Sequence, residues 1–269
     1  MSYPRRHHYI PEVYLKNFAV PTGKVWKIVA KSRNGHTFLT NINKVAKEKD
    51  FYTVEELEDK YYWERYYSSN IEQMMGDTFR QLVLRCNSIF TRNKDIILDD
   101  DTQKRLAVIM VIQLLRTPKS RRYQNSIIQD VAPPVIEEVK IQFKDGLSLE
   151  HQKILEGYNS PDKLKGITMS IINDPKRISK LASILLTKSW TIYKISDHKI
   201  CSFVTSDHPV CMYNIDTKST DLHDTGIGKM HTIINYPISA RLLLSLYDRN
   251  TYFFGRGLFH KKIVELDVF

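Results

Sequence analysis

Three short stretches of this 269-residue chain contain side chains that could carry out acid–base and anion-binding chemistry. The first is the N-terminal run Arg5-Arg6-His7-His8. Two imidazoles beside two guanidinium groups could move protons on a phosphodiester while neutralising its charge. Because adjacent side chains diverge, we expect only one of His7 and His8 to face a given site. The alternative interpretation is a solvated N-terminal segment, although the amphipathic helix predicted directly after it argues that the run is held against the body.

The second stretch is a predicted core helix with polar residues at its C-terminal end. The run Leu106–Leu115 is apolar on nearly every side, which is typical of a buried helix. Gln113, Arg116 and Thr117 fall on one face of that helix. One hypothesis is a pocket floor on which Arg116 anchors an anion. The alternative is a buried strut, in which the guanidinium pairs with a carboxylate such as Glu72 because an unpaired buried charge is costly.

The third stretch, Thr205-Ser206-Asp207-His208-Pro209, follows a predicted strand. Asp207 could orient a histidine, act as a base or bind a divalent metal ion, and no other cofactor is predicted. Thr205 and Ser206 would contact the substrate. The alternative is a polar turn that closes a hairpin before Pro209. We expect all three stretches to converge on one cleft.

Local sequence signals predict an α+β fold. An Asn34-Gly35 turn between alternating runs at 24–31 and 37–42 predicts an early β-hairpin. Ser69-x-x-Glu72 has the pattern of a capping box that begins a helix. The buried helix would span about 102–117, where Pro118 ends or kinks it. Further helices are predicted at 134–144, 161–172 and 175–189, a loop at 132–134, and strands at 190–195, 200–205, 230–235, 242–246 and 263–268.

Helices in the middle and strands at both ends favour α+β architecture over βαβ repeats. We predict a single domain, 1–269, in which a central helical region at 43–189 contains the buried core helix. This region would lie between the N-terminal hairpin and a mostly antiparallel C-terminal sheet at 190–269.

Composition restricts the class of protein. The net charge of +10 favours polyanionic partners, nucleic acid first, although a solvated basic surface is the alternative. The three cysteines form neither a disulfide framework nor a zinc-binding pattern, which favours a reducing, cytoplasmic setting. No apolar run approaches the roughly 20 residues needed to span a bilayer, so no membrane association is predicted. The phosphate-binding loop, dinucleotide-binding, zinc-protease and serine-hydrolase motifs are absent.

The order of these motifs resembles the bacterial DUF4238 family over nearly the whole chain. The residues that carry the resemblance are His7-His8-Tyr9-Ile10-Pro11, Tyr14-Leu15-Lys16-Asn17-Phe18, Lys49-Asp50-Phe51-Tyr52, Ile71-Glu72, Gln113-x-x-Arg116-Thr117-Pro118 with Arg121, Thr205-Ser206-Asp207-x-Pro209, and Pro237-Ile238-Ser239 with Arg241. At His208 the sequence departs from the family pattern, in which we expect Asn. The resemblance implies a bacterial or prophage cytosolic protein with a shared polar site, and it implies no particular reaction.

Together these features favour a nuclease, with RNA preferred over DNA, that serves as a bacterial defence or toxin effector. RNA is preferred because its own 2′-hydroxyl can cleave the chain, with only acid–base groups and a charge clamp supplied by the protein. The expected catalytic residues are His7, His8, Asp207 and Glu72. The expected substrate-binding residues are Arg116, Gln113, Thr117, Ser206, Thr205, Arg121 and Arg241. The alternatives are an enzyme that acts on a small nucleotide or other anion in a deep pocket, and a non-catalytic nucleic-acid-binding, sensor or interaction module in which these residues are buried struts.

Overall fold

A computed structural model of the protein describes residues 5–88, 98–143, 146, 148–195, 201–221 and 223–248, together with the backbone of 262–266. The strands are β1 (Arg6–His8), β2 (Val20–Thr22), β3 (Val25–Lys31), β4 (Thr37–Asn41), β5 (Lys47–Lys49), β6 (Ser189–Ile195), β7 (Cys211–Asn214), β8 (Thr232–Ser239), β9 (Leu242–Tyr247) and β10 (Lys262–Leu266). The helices are α1 (Glu12–Leu15), α2 (Tyr62–Tyr66), α3 (Glu72–Ser88), α4 (Asp100–Leu115), α5 (Pro118–Gln142), α6 (Leu149–Glu156), α7 (Pro161–Ile172) and α8 (Pro175–Leu186).

The N-terminal strands form two small sheets. Strands β2, β3 and β4 are antiparallel neighbours, and Gly35 has a φ of 82° in the turn between β3 and β4, a conformation that glycine adopts without steric cost. The predicted hairpin is therefore confirmed. Strand β1 pairs with β5 instead, and places His8 opposite Lys47. This pairing fixes the N-terminal histidines against the body of the protein.

The C-terminal sheet has the strand order β10-β6-β9-β8-β7. Its pairs are antiparallel except for β10 with β6, so the prediction of a mostly antiparallel sheet is confirmed. The strand predicted at 200–205 is wrong for its described part, because residues 201–206 adopt no strand. This segment runs beside the corner between β8 and β9, where Phe203 N donates to Ala240 O over 2.9 Å.

Helix α4 is the predicted core helix, and eleven of its residues are buried. The Asp99 carboxylate caps it by accepting from Thr102 N. Thr117 then caps α5, in which Pro118 occupies the first turn. The loop predicted around Pro133 is wrong, because α5 continues through this position and its neighbouring proline. The prolines are tolerated here because the carbonyl groups that lose a helical hydrogen bond lie on an exposed stretch, where water can bind them.

The predicted capping box at Ser69-x-x-Glu72 is also wrong. Helix α2 continues through a π-helical turn, Tyr67–Ile71, directly into α3, so no helix begins there. The Glu72 side chain instead bonds Arg116 at the end of α4. Single π-helical turns occur frequently at functional sites, and this one redirects the chain between two glutamates discussed below.

One hydrophobic core contains side chains from α1, the central helices and the C-terminal sheet. The fold class is therefore α+β, as predicted, while the single-domain assignment stays a prediction. None of the helices within the described ranges combines the length and apolarity that a membrane crossing needs.

Candidate functional site

Arg116 is the centre of a buried polar cluster. Its side chain is completely buried at the C-terminal cap of α4. Nε donates to the Tyr52 hydroxyl over 2.8 Å, while Nη2 donates to His8 O over 2.7 Å and to Glu72 Oε1 over 3.1 Å. The guanidinium also lies 4.6 Å from the centre of the Tyr67 ring. Arg116 therefore joins β1 to the helices α3 and α4.

These contacts favour the strut alternative for Arg116, while its role as an anchor of a substrate anion stays an untested prediction. The Nη1 atom forms no hydrogen bond with any residue that the structure describes, but it is inaccessible to solvent. Burial opposes the charged form, yet the neighbouring Tyr52 and Glu72 outweigh it and raise the pKa of Arg116. The guanidinium stays charged and acts as a strut that fixes the position of the His8 backbone.

His7 is completely buried, which corrects its assignment as a catalytic residue. Its Nδ1 accepts a hydrogen bond from Tyr52 N over 2.9 Å, and its ring stacks on the Tyr52 ring at 5.8 Å and an angle of 4°. A substrate cannot reach this imidazole without a large rearrangement. His7 is thus part of the support beneath the site.

His8 lies on the opposite face of β1, and its side chain is 17% exposed. Its Nε2 forms no hydrogen bond with a described residue, and Glu12 Oε1 is 3.7 Å away. Burial lowers the pKa of the imidazole below its ordinary 6.5, against the raising effects of Glu12 and Glu72. At neutral pH, His8 is therefore a neutral imidazole that can accept a proton.

The sequence analysis missed Glu64 in α2. This carboxyl group is 20% exposed, and its Oε2 lies 3.9 Å from His7 Nδ1. Burial first, and then the charge of Glu72, raises its pKa from 4.5 to about 7, while Arg116 opposes the shift. Glu64 can therefore donate or accept a proton near neutral pH. The one signal in the sequence is a carboxylate within the aromatic run Tyr61-Tyr62-Trp63-Glu64.

Glu72 is a second carboxyl group that influences both His8 and Glu64. Its carboxylate is 26% exposed and is held by Arg116. Its negative charge raises the pKa of both His8 and Glu64, which means that it is near both side chains. The structure thus brings the predicted residues His8, Glu72 and Arg116 into one cluster and adds Glu64 to it.

The turn after residue 204 contacts the same region from the C-terminal half of the chain. The Thr205 hydroxyl lies 2.7 Å from the Tyr14 hydroxyl, which donates to Pro237 O over 2.8 Å. Ser206 Oγ accepts from His208 N over 3.1 Å, which closes the turn. Thr205 and Ser206 therefore interact with groups of the protein itself, as expected if this segment is a polar turn with a structural role.

His208 and Thr117 connect this turn to the end of α4. Thr117 is buried, and its hydroxyl lies 2.7 Å from His208 Nδ1. Burial, together with Lys119, lowers the pKa of His208 to about 4, so the ring is neutral at physiological pH. Thr117 therefore joins two segments and caps α5, which accounts for its side chain without a substrate.

Asp207 is exposed at the tip of this turn. After burial, its negative charge is the largest influence that raises the pKa of Tyr9, the residue next to His8. The turn therefore lies near the N-terminal strand, as convergence of the three stretches requires. Among the described residues, no group of three or more His, Cys, Asp or Glu side chains could hold a metal ion, so the metal proposed at Asp207 has no ligand set there.

The remaining predicted substrate-binding residues have structural partners. Gln113 is completely buried and donates through Nε2 to Tyr9 O over 3.1 Å. Arg121 Nη1 donates to Phe51 O over 2.6 Å, and its guanidinium lies 3.6 Å from the centre of the Phe51 ring. Arg241 Nη2 donates to Ile195 O over 3.3 Å in the C-terminal sheet. The assignment of all three to substrate binding stays a prediction.

The fold and the cluster define an α+β protein in which a buried arginine supports a partly open group of one imidazole and two carboxyl groups. The chain belongs to the DUF4238 family, described as a protein of unknown function, whose match covers residues 6–260. The resemblance predicted from the motifs is therefore confirmed. The comparisons with curated proteins and with solved structures find no match.

Proposed function

We propose that the protein is a nuclease that cleaves RNA without a metal ion, with His8 as the proton-carrying group. The observation that carries this proposal is the geometry of His8. Its backbone carbonyl is fixed by Arg116 and by the Tyr52 hydroxyl, while its ring is partly open to solvent. A rigidly held imidazole suits general acid–base catalysis, and its Nε2, which is inaccessible to solvent, must be uncovered when RNA binds.

The reaction is an attack by the 2′-oxygen of a ribose on the adjacent phosphorus. His8 accepts the proton from the 2′-hydroxyl as the new O2′–P bond forms. The imidazolium of His8 then returns this proton, through water, to the 5′-oxygen as the P–O5′ bond breaks. The products are a 2′,3′-cyclic phosphate and a free 5′-hydroxyl, so atoms and charges balance. The Glu72 carboxylate, held by Arg116, stabilises the imidazolium that forms at His8.

Exposed basic side chains, rather than Arg116, bind the phosphate groups in this proposal. Lys47 lies opposite His8 in the β1–β5 pairing and contributes to its lowered pKa. The charge of Arg122 lowers the pKa of Tyr9, and the charge of Lys119 lowers the pKa of His208. Both cations therefore lie near the same region. Lys119 and Arg122 are exposed, and Lys47 is partly exposed. Such side chains suit a polyanion that binds across a surface.

The proposal includes a bacterial cytoplasmic setting and a role as a defence or toxin effector. Its support is the basic net charge, together with the bacterial or prophage origin that the resemblance to the family implies. Induced expression in a bacterial host should then arrest growth, and His8→Ala should relieve the arrest at an equal protein level.

The direct test uses purified protein and labelled RNA and DNA of the same sequence, with and without EDTA. RNA should be cleaved to products with 2′,3′-cyclic phosphate ends, at a rate that EDTA leaves unchanged. His8→Ala should lower the rate at least about 100-fold, the usual size of a general acid–base contribution. His36→Ala, on the exposed hairpin, is the matched control and should cleave normally. Undiminished cleavage by the His8 variant would overturn the mechanism.

A second candidate is a non-catalytic sensor or interaction module. The observation that favours it is the burial of Arg116 and Arg121, each of which bonds protein atoms rather than solvent. Folded wild-type protein that cleaves neither RNA nor DNA would support this candidate. The small-nucleotide alternative needs a polar pocket, and the cavity described below does not supply one, because it is lined mainly by apolar side chains.

A further inference from the structure

A cavity of about 600 Å³ lies beside α2, apart from the polar cluster. Its walls come from residues 54–57, α2, α5, α6, α7 and the residue Tyr158. Trp63 and Tyr158 contribute aromatic rings, while Leu57 and Ile167 contribute aliphatic side chains. The volume is within the range of about 300–1,000 Å³ that small-molecule sites occupy.

The charged side chains of this cavity neutralise each other. Lys163 Nζ lies 3.0 Å from Glu56 Oε1, and these are the two charged residues of the lining. Ser170 Oγ donates to Gly166 O, so this hydroxyl also has an intramolecular partner. An ionic ligand would therefore meet no net opposite charge in the walls, and a neutral ligand would lose little on leaving water.

Some of the apolar lining faces solvent. Leu57 is 39% exposed and Ile167 is 36% exposed. A ligand that covers them removes apolar surface from water, which contributes roughly 25 cal/mol per Å². Trp63 adds an aromatic side chain against which a flat aromatic molecule can pack. Concavity, two aromatic rings and a neutral wall together indicate one ligand chemistry.

We propose that this cavity is a binding site for a small, neutral, flat aromatic molecule. The proposal does not depend on RNA cleavage, because the cavity shares no lining residue with the His8–Glu72–Arg116 cluster. The cavity and the cluster are nevertheless linked by α2, where Trp63 lines the cavity and the next residue, Glu64, belongs to the cluster.

The test uses the neutral fluorescent probe N-phenyl-1-naphthylamine and the whole protein. Its emission should rise saturably on addition of wild-type protein, and it should raise the melting temperature. Ser170→Trp places a large ring at the cavity, and Ile167→Glu places a charge on its partly exposed wall. Each variant should weaken binding at least tenfold. Because the two changes differ in kind, a folding defect in one leaves the other informative.

Two controls separate this cavity from other apolar surface. Ser183→Trp alters an exposed helical serine whose hydroxyl makes the same type of bond four residues back, and it should bind the probe normally. Val29→Glu adds a charge to the exposed apolar face of the hairpin, where Val29 is 67% exposed, and it should also bind normally. Loss of binding in Val29→Glu, wild-type affinity in both cavity variants, or no saturable emission would overturn the proposal.

Discussion

The cluster around Arg116 and the turn around Asp207 contain similar residue types but differ in what surrounds them. Arg116 is fully buried and bonds Tyr52, His8 and Glu72. Asp207 is exposed at the end of a polar turn. A buried charge is kept in place by its partners, whereas an exposed charge is available to a ligand. Residue type therefore indicates the chemistry, while burial decides between a strut and a group that can touch a substrate.

The strongest test of this contrast is Arg116→Ala, which should have the largest effect on stability. The change leaves Glu72, the Tyr52 hydroxyl and the His8 carbonyl without their shared donor. Loss of one partner from a buried ion pair costs about 3–5 kcal/mol. Urea unfolding should therefore show a decrease of this size in the free energy of unfolding.

The matched control is Arg105→Ala on the same helix. Arg105 pairs with Asp101 four residues earlier, and both side chains are largely exposed. Such a surface pair contributes at most about 1 kcal/mol. Equal losses in the two variants would show that Arg116 is no strut, and its role as an anion anchor would regain support.

Glu64 lies between the two extremes, because it is partly open to solvent yet its pKa is strongly shifted. Burial raises that pKa from 4.5 to about 7, so between these pH values the folded protein keeps a proton that the unfolded chain has released. The stability contributed by this proton is full below pH 4.5 and is lost as pH rises through about 7. After a discount for solvent screening, we expect a loss of about 1–2 kcal/mol.

Glu64→Gln should remove this pH dependence. Urea unfolding at about pH 5 and about pH 8 gives the free energy of unfolding at each pH. The difference between these two free energies should be smaller in the variant than in the wild-type protein, by about 1–2 kcal/mol. Glu58→Gln, an exposed carboxyl group on the loop before α2, is the control and should follow the wild-type protein. An unchanged pH profile in the Glu64→Gln variant would place Glu64 in an ordinary solvated environment.

Local sequence signals were sufficient for much of the fold. The apolar run of α4 and the Asn34-Gly35 turn each predict an element that the structure contains. The errors fall where neighbours outweigh local preference. Pro133 does not end α5, because the stretch of helix around it is exposed to solvent. Residues 201–206 run beside the corner between β8 and β9 but do not pair as a strand.

The candidate site was less predictable because burial is a property of the whole fold. The sequence indicated that Arg116 could pair with Glu72, but it could not decide between a strut and an anion anchor. It also placed His7 and His8 on opposite faces without saying which face is buried. Glu64 was missed because its raised pKa comes first from burial and then from the charge of Glu72, and neither can be derived from the residues next to it in sequence.

Among these variants, Asp207→Asn should change the free energy of unfolding least, because Asp207 is exposed whereas Arg116 is buried. Asp207 is exposed, and surface substitutions usually change stability by no more than about 0.5 kcal/mol. If this carboxylate orients the attacking hydroxyl group or a nucleobase of the RNA, the rate of RNA cleavage should nevertheless fall markedly. Parallel measurements of unfolding and cleavage on Asp207→Asn and on Asp221→Asn, in another exposed turn, separate the two effects. A loss of stability near that of Arg116→Ala would show that Asp207 also holds the fold together, and unchanged cleavage would remove it from the site.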